Sequence, residues 1–188
     1  MAFGQRLWAL SGQVGGSVLS NHDFCDFYDP LAKTWSLGPA LPAGSVTSAV
    51  AGNRIWVFQS GTLSYTNATG TSFSAVGGAT YPVGNEARAV GLNGRLYVLG
   101  GTASAATGAT GAPVTLATVQ SLDATAAIPP ATLTPLAPML ADRARFGVVA
   151  TTKGKIYVFG GDQYYPVPSP FGNMAGFKST SAVEEYTP

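Results

Sequence analysis

Apolar and polar positions along this chain alternate in short blocks, each a few residues long and each stopped by a small residue. Four blocks align: Arg6-Leu-Trp-Ala-Leu-Ser-Gly12, Arg54-Ile-Trp-Val-Phe-Gln-Ser-Gly61, Arg95-Leu-Tyr-Val-Leu-Gly-Gly101 and Lys155-Ile-Tyr-Val-Phe-Gly-Gly161. Each opens on a cation, runs through apolar residues rich in β-branched and aromatic types, and ends at glycine. That pattern predicts a buried strand. The starts, at residues 6, 54, 95 and 155, are unevenly spaced. A solenoid keeps a fixed period, whereas a repeat of about 50 residues with variable connections does not.

Three of the blocks are preceded by a second apolar run and a tight turn. These are Val46–Ala51 with Gly52-Asn53, Ala87–Leu92 with Asn93-Gly94, and Phe146–Thr151 with Lys153-Gly154. Asn-Gly between two apolar runs predicts a hairpin, because both central turn positions need positive φ. Downstream, a third strand leads through a turn into a fourth that opens on a large apolar residue. In the first repeat these are Phe24–Tyr28, the turn from Asp29-Pro30 to Lys33, and Thr34-Trp35-Ser36-Leu37. In the second they are Leu63–Tyr65, the turn from Asn67 to Gly70, and Ser72-Phe73-Ser74. In the third they are Ala117–Leu122, a Pro129-Pro130 turn, and Thr132-Leu133-Thr134. The last shows Ala182–Pro188.

A hairpin, a Gly-Gly strand, a Tyr-Asp-Pro turn, a following Trp and a Leu-x-Pro-Met exit together resemble the kelch repeat. Tyr28-Asp29-Pro30 with Trp35, and Leu136-Ala137-Pro138-Met139 with Arg145 and Lys155–Gly161, carry the likeness most fully. It covers nearly the whole chain. The second repeat departs from it, with Phe73 for Trp and Ser60-Gly61 for Gly-Gly, and the third has Leu122 for Tyr. The resemblance implies an all-β, kelch-type β-propeller of four-stranded antiparallel blades, about three and a half of them. The repeat residues are Tyr28, Trp35, Gly100, Gly101, Gly160, Gly161 and Tyr186. The glycines let a strand turn where a neighbouring blade packs close, and the rings fill the wedge between twisted sheets. A generic antiparallel sandwich also uses short alternating strands, but has no reason to repeat this order.

With strands labelled A to D outward from the axis, the expected order is B-C-D, A-D, A-D, A-B-C. The blades fall at approximately 1–38, 39–79, 80–137 and 138–188, the first and last incomplete. Ala2-Phe3-Gly4-Gln5 matches the tail of an A strand. A propeller is stable because its ring closes. The expectation is therefore that the missing strands come from the remaining blades of a longer chain, or from self-association of a half-ring through its open ends.

Composition narrows the partners. Lys and Arg number 10 against 9 Asp and Glu, and charged residues are only 10% of the chain. No basic stripe exists for nucleic acid or an anionic membrane. No apolar run approaches the length of about 18 residues that spans a bilayer. Low charge with Thr/Ser/Gly-rich connections leans towards a secreted or cell-envelope setting. Cys25 is the single cysteine, so no internal disulfide forms. His22-Asp23-Phe24-Cys25-Asp26 gathers metal-capable residues, but strand alternation splits them and no second histidine exists, so no metal site and no cofactor is expected.

The variable connections are Gln13–Asn21, Thr102–Pro113 and Asp162–Thr180, all on one face of the expected propeller. Thr102–Pro113 is small and polar and reads as a flexible connection. Asp162–Thr180 holds Tyr164, Tyr165, Phe171, Met174 and Phe177 among prolines, and suits a protein or carbohydrate ligand. The competing reading packs these rings onto their own blade. Arg88, Arg143 and Arg145 precede or open A strands near the same face. They either hold a carboxylate or bridge blades through backbone carbonyls. Copper-radical oxidases related to galactose oxidase use similar blades but need two histidines, which this chain lacks. Glu184-Glu185 alternate across a strand and form no acid–base pair. The expected function is a non-catalytic interaction module; the alternative is a fragment of a kelch-containing enzyme, a sugar-acid isomerase or an oxidase-associated propeller.

Overall fold

The computed structural model describes residues 1–14, 20–41, 45–59, 61–76, 84–104, 113–130, 132–167 and 174–188. Side chains at 11–14, 20–24, 45–46, 104, 166–167 and 174–175 fall outside the description. The described residues hold 19 strands and no helix.

The first sheet pairs β1 (Ala2–Phe3), β2 (Arg6–Val14), β3 (Ser20–Asp29) and β4 (Thr34–Leu37) in that order. The second pairs β5 (Ser45–Ala51), β6 (Arg54–Gln59), β7 (Thr62–Thr66) and β8 (Phe73–Ala75). In the third, β9 (Arg88–Leu92) pairs with β10 (Arg95–Leu99), and β13 (Val119–Asp123) and β14 (Thr134–Leu136) continue outward. The fourth joins β15 (Gly147–Ala150), β16 (Ile156–Phe159) and β19 (Val183–Tyr186). Every pairing within these sheets is antiparallel. The four sheets are blades of a β-propeller, with β5, β9 and β15 side by side as inner strands.

Two equivalent indole bonds show that β1 is the end of an inner strand. Trp56 Nε1–H donates to the Ala51 carbonyl at the end of β5, at 2.9 Å. Trp8 Nε1–H donates to the Phe3 carbonyl of β1, at 3.0 Å. A buried indole needs such a partner, and the same partner serves at the same position in both blades.

The core is not one mass but three layers, each lying between two successive blades. Phe3, Trp8 and Cys25 of the first blade pack on Ile55 and Val57 of the second. Trp56, Phe58 and Leu63 of the second pack on Leu96, Val98 and Leu122 of the third. Tyr97, Leu99 and Val119 of the third pack on Phe146, Ile156 and Val158 of the fourth. Strand alternation explains the division, since successive residues of β6 or β10 face opposite neighbours. The central strands therefore read as continuous apolar runs.

The turn between third and fourth strands opens on a side-chain oxygen in three blades. Asp29 Oδ1 accepts from the Leu31 and Ala32 amides. Asn67 Oδ1 accepts from the Thr71 amide, and Asp123 Oδ1 from the Thr125 amide and hydroxyl. Asp and Asn favour turns because their side chains bond the backbone a few residues on. The sequence reading put the third of these turns at Pro129-Pro130; it opens earlier, at Asp123.

The variable connections are more regular than expected. Gln13 and Asn21 pair within an extended β2–β3 ladder. Thr102–Ser104 (β11) and Pro113–Thr115 (β12) form a hairpin where a flexible connection was expected. Asp162–Val167 (β17) and Met174–Ser179 (β18) form another. In each case backbone pairing beyond the blade satisfies groups that a loop would leave to water.

Candidate functional site

The two hairpins grow from the same place in successive blades. Gly100-Gly101 ends β10 and Gly160-Gly161 ends β16, and all four have positive φ. A Cβ on Gly101 would lie 2.7 Å from the Asn85 carbonyl oxygen, and one on Gly161 2.7 Å from that of Ala144. Each second glycine is thus a gap through which the entry to the inner strand of its own blade passes. The backbone bridges Asn85–Thr102 and Ala144–Asp162 close that crossing. This is why the repeat needs two glycines there.

Immediately after each bridge stands a residue in the left-handed region: Glu86 with φ 60° and Arg145 with φ 55°. Side chains other than glycine, asparagine and aspartate seldom adopt it, and such residues concentrate at functional positions. These two meet across the blade boundary. Arg145 Nε donates to Glu86 Oε1 at 2.7 Å, and Nη2 lies 2.6 Å from the same oxygen. The bond to Glu86 raises the Arg145 pKa further above its ordinary value. The Arg145 guanidinium also lies 5.5 Å from the centre of the Tyr164 ring. Tyr164 is half-buried, and burial with the nearby Glu86 charge pushes its phenol upward.

The β17–β18 register divides the expected aromatic set. Tyr164 sits opposite Phe177, with ring centres 6.4 Å apart, while Tyr165 sits opposite Gly176 on the other hairpin face. Phe177 and Tyr165 are exposed. Phe171 lies outside the described residues, as does the Met174 side chain. The hairpin leans on β12: the Tyr164 amide donates to Thr115 Oγ1 at 3.3 Å. Thr115 in turn bonds Asp142 Oδ2, and Gln163 Nε2 donates to Asp142 Oδ1 at 3.0 Å. Asp142 therefore ties both hairpins to the junction between the third and fourth blades.

The other two arginines are structural in their contacts. Arg143 is fully buried, and Nη1 donates to the carbonyls of Gly160 and Ala182. Its Nη2 pairs with Glu184. Glu184 also accepts from the Leu140 and Ala141 amides, so one carboxylate holds three donors. Arg88 Nε donates to the Phe146 carbonyl at 3.0 Å, bridging the third blade to the fourth. Only Arg145 of the three is exposed to solvent beside the hairpin. Glu185 points away from Glu184 and pairs with Lys155 and Tyr157 on the opposite face of the sheet.

Cys25 is buried, and its Sγ–H donates to the Pro39 carbonyl at 2.8 Å. The side chains of His22 and Asp23 lie outside the described residues. No cluster of three or more metal-capable side chains occurs among the described residues.

Sequence reasoning missed Glu86, Thr115, Asp142 and Gln163. A signal existed for Glu86: aligned on the repeat, Asn85-Glu86-Ala87 corresponds to Ala144-Arg145-Phe146, so the two charged residues hold one structural position. No signal existed for Asp142, whose role depends on two hairpins meeting.

These features define a β-propeller that carries a charged pair and an aromatic hairpin on one face. No protein-family model matches the chain, and no curated protein does. Among solved structures, that of YjhT is similar in fold, with a TM-score of 0.63 and 15% sequence identity. The match covers 87% of this chain and 58% of that one, so this chain spans little more than half the length of YjhT.

Proposed function

We propose that the chain is a kelch-type interaction module that binds a carbohydrate or protein ligand through the hairpin face at the third and fourth blades. The observation that carries this is the Glu86–Arg145 pair, held in left-handed backbone beside the Tyr164 ring. A structural ion pair gains little from such backbone, which costs about 1–3 kcal/mol per residue. A recognition site gains a fixed carboxylate and guanidinium, able to accept from and donate to neighbouring hydroxyls. Tyr164 and Phe177 add flat apolar surface of the kind that covers the C–H face of a sugar ring or an apolar side chain.

The test is a glycan array and a pull-down with the intact chain, followed by Arg145→Ala and Phe177→Ala. Each variant should weaken binding at least about tenfold, equivalent to about 1.4 kcal/mol. Both residues are exposed, so circular dichroism and melting should stay as in the wild type. Unchanged affinity in both variants would remove the site from this face.

A further inference from the structure

Each blade opens its second strand on a cation, and three of the four cations hold an acceptor. Arg54 lies over the Tyr65 ring at 4.7 Å, and its Nη1 donates to the Ala126 carbonyl of the next blade at 3.1 Å. Arg95 Nη2 donates to Ser121 Oγ at 2.8 Å, and Lys155 pairs with Glu185. Arg6 lies over the equivalent ring, that of Phe27, at 4.3 Å. Among the described residues, however, no hydrogen-bond acceptor or ion-pair partner engages its guanidinium. Asp29, on the same sheet, accepts from the amides of its own turn instead.

The turns around Arg6 stand apart where those around Arg54 touch. Gly4 and Gly52 hold the same place in their blades, two residues before the cation. A Cβ on Gly52 would lie 2.1 Å from the Ala124 carbonyl oxygen, in the outer turn of the next blade. A Cβ on Gly4 would meet nothing within 4 Å. The outer turn opposite it, from Asn67 to Gly70, bonds to its own blade: Asn67 Nδ2 donates to Thr71 Oγ1, and Oδ1 accepts from the Thr71 amide. Between the two turns is a cavity of about 290 Å³, lined by Phe3, Gly4, Arg6, Trp8, Ala68 and Thr69. It lies between the first and second blades, beside their shared core layer, and not on an uncovered face of the arc.

A guanidinium stacked on a ring keeps the N–H groups along its edge free to donate. Phe3 and Trp8 add apolar surface, and the Trp8 indole N–H is already given to the Phe3 carbonyl. We infer that this pocket binds a small monocarboxylate with an apolar or aromatic body, its carboxylate on the Arg6 guanidinium and its body against Phe3 and Trp8. The planar fork of arginine matches the two oxygens of a carboxylate. One guanidinium balances one negative charge. A phosphate group carries close to two at neutral pH, and the second would stand over an apolar floor. The cavity falls just below the about 300–1,000 Å³ usual for drug-sized ligands, which limits the occupant to one ring with a short arm. This site is on the face opposite the hairpins, so it does not depend on the ligand proposed for them.

Phenylacetate and its uncharged counterpart phenylacetamide, each titrated into the intact chain and followed by amide NMR, test the inference. Phenylacetate should saturate in the millimolar range or tighter, with shifts at Gly4, the Trp8 indole N–H, Ala68 and Thr69. Phenylacetamide should bind at least about tenfold more weakly, and so should phenylacetate to Arg6→Gln. The Arg6 side chain holds no acceptor, so that variant should melt as the wild type does. Phe177→Ala, on the other face, should leave phenylacetate binding unchanged. Four results would overturn the inference: no saturation below about 10 mM, equal affinity for the amide, full affinity in Arg6→Gln, or lost affinity in Phe177→Ala. The comparison of acid with amide uses the unaltered chain, so it decides the matter whatever the variants do to folding.

Discussion

At the scale of single residues, burial rather than residue type decides what each aromatic does. Trp56 lies in the second strand of its blade and Trp35 in the fourth of its own; Trp56 is fully buried between blades while Trp35 is 62% exposed. Among the described residues the Trp35 ring meets that of Tyr28, tilted against it with ring centres 5.4 Å apart. The repeat resemblance placed Trp35 in the packed wedge; its ring lies on the face of the first blade that no described blade covers. Trp56→Ala should cost about 3–5 kcal/mol, in line with large-to-small core changes. Trp35→Ala should cost less than about 1 kcal/mol in the isolated chain. Urea denaturation of both variants checks the contrast, and equal losses would refute the assignment of faces.

Cys25 is the other residue whose surroundings set its chemistry. Burial and the adjacent Asp26 charge push its thiol up to about 11 from an ordinary 9.0. The folded state therefore holds the proton more tightly than the unfolded state does. This contribution to stability is complete below pH 9 and is lost as pH rises through about 11. The fall in urea midpoint across that window should be shallower in Cys25→Ala. The thiol should also resist a maleimide in the native protein and react once it is unfolded. Rapid native labelling would show that the Pro39 bond and the cover over it do not persist.

At the scale of elements, the glycines that matter are those approached by backbone. Gly91 lies in the middle of inner strand β9, where a Cβ would sit 1.9 Å from the Val50 carbonyl oxygen of β5. Nothing flexible is there to give way. Gly91→Ala must separate the two inner strands and should cost several kcal/mol, on the order of other overpacked cores. A thermal melt checks this; a loss below about 0.5 kcal/mol would mean the blades do not meet so closely. Helix-like propensity arguments, which charge glycine for its freedom in a strand, would give the opposite sign.

The hairpins show the limit of local reading at this scale. Asp162–Thr180 is rich in proline and aromatics, which reads as an irregular binding loop. Yet β17 and β18 pair over six residues each. Nothing in the stretch itself announces the neighbouring strand β12 on which the hairpin leans, or the Thr115 and Asp142 side chains that seat it. Arg143 is comparable. Its neighbours in sequence are ordinary, and it is buried because Gly160, Ala182 and Glu184 converge on it from later in the chain. An arginine with so many backbone acceptors bridges elements rather than waiting for a ligand.

At the scale of the molecule, the packing unit is the gap between blades, and the face assignments follow from that rule. Strand identity and order were legible in the sequence: four cation-led apolar runs, each stopped at a glycine, with turn residues between the strands. Those signals are local. Alternation with period two, positive φ at a turn and a side chain bonding its own turn depend on residues within a few positions of one another. What only the tertiary structure decided is nonlocal. It set which side of each strand is covered, which of three similar arginines stays exposed, and that Glu86 meets Arg145, 59 positions apart. Those outcomes turn on the angle at which twisted sheets pack and on close backbone approaches such as Gly91 to Val50. No short stretch of residues encodes that angle, because it is set by all the side chains filling the wedge between two blades.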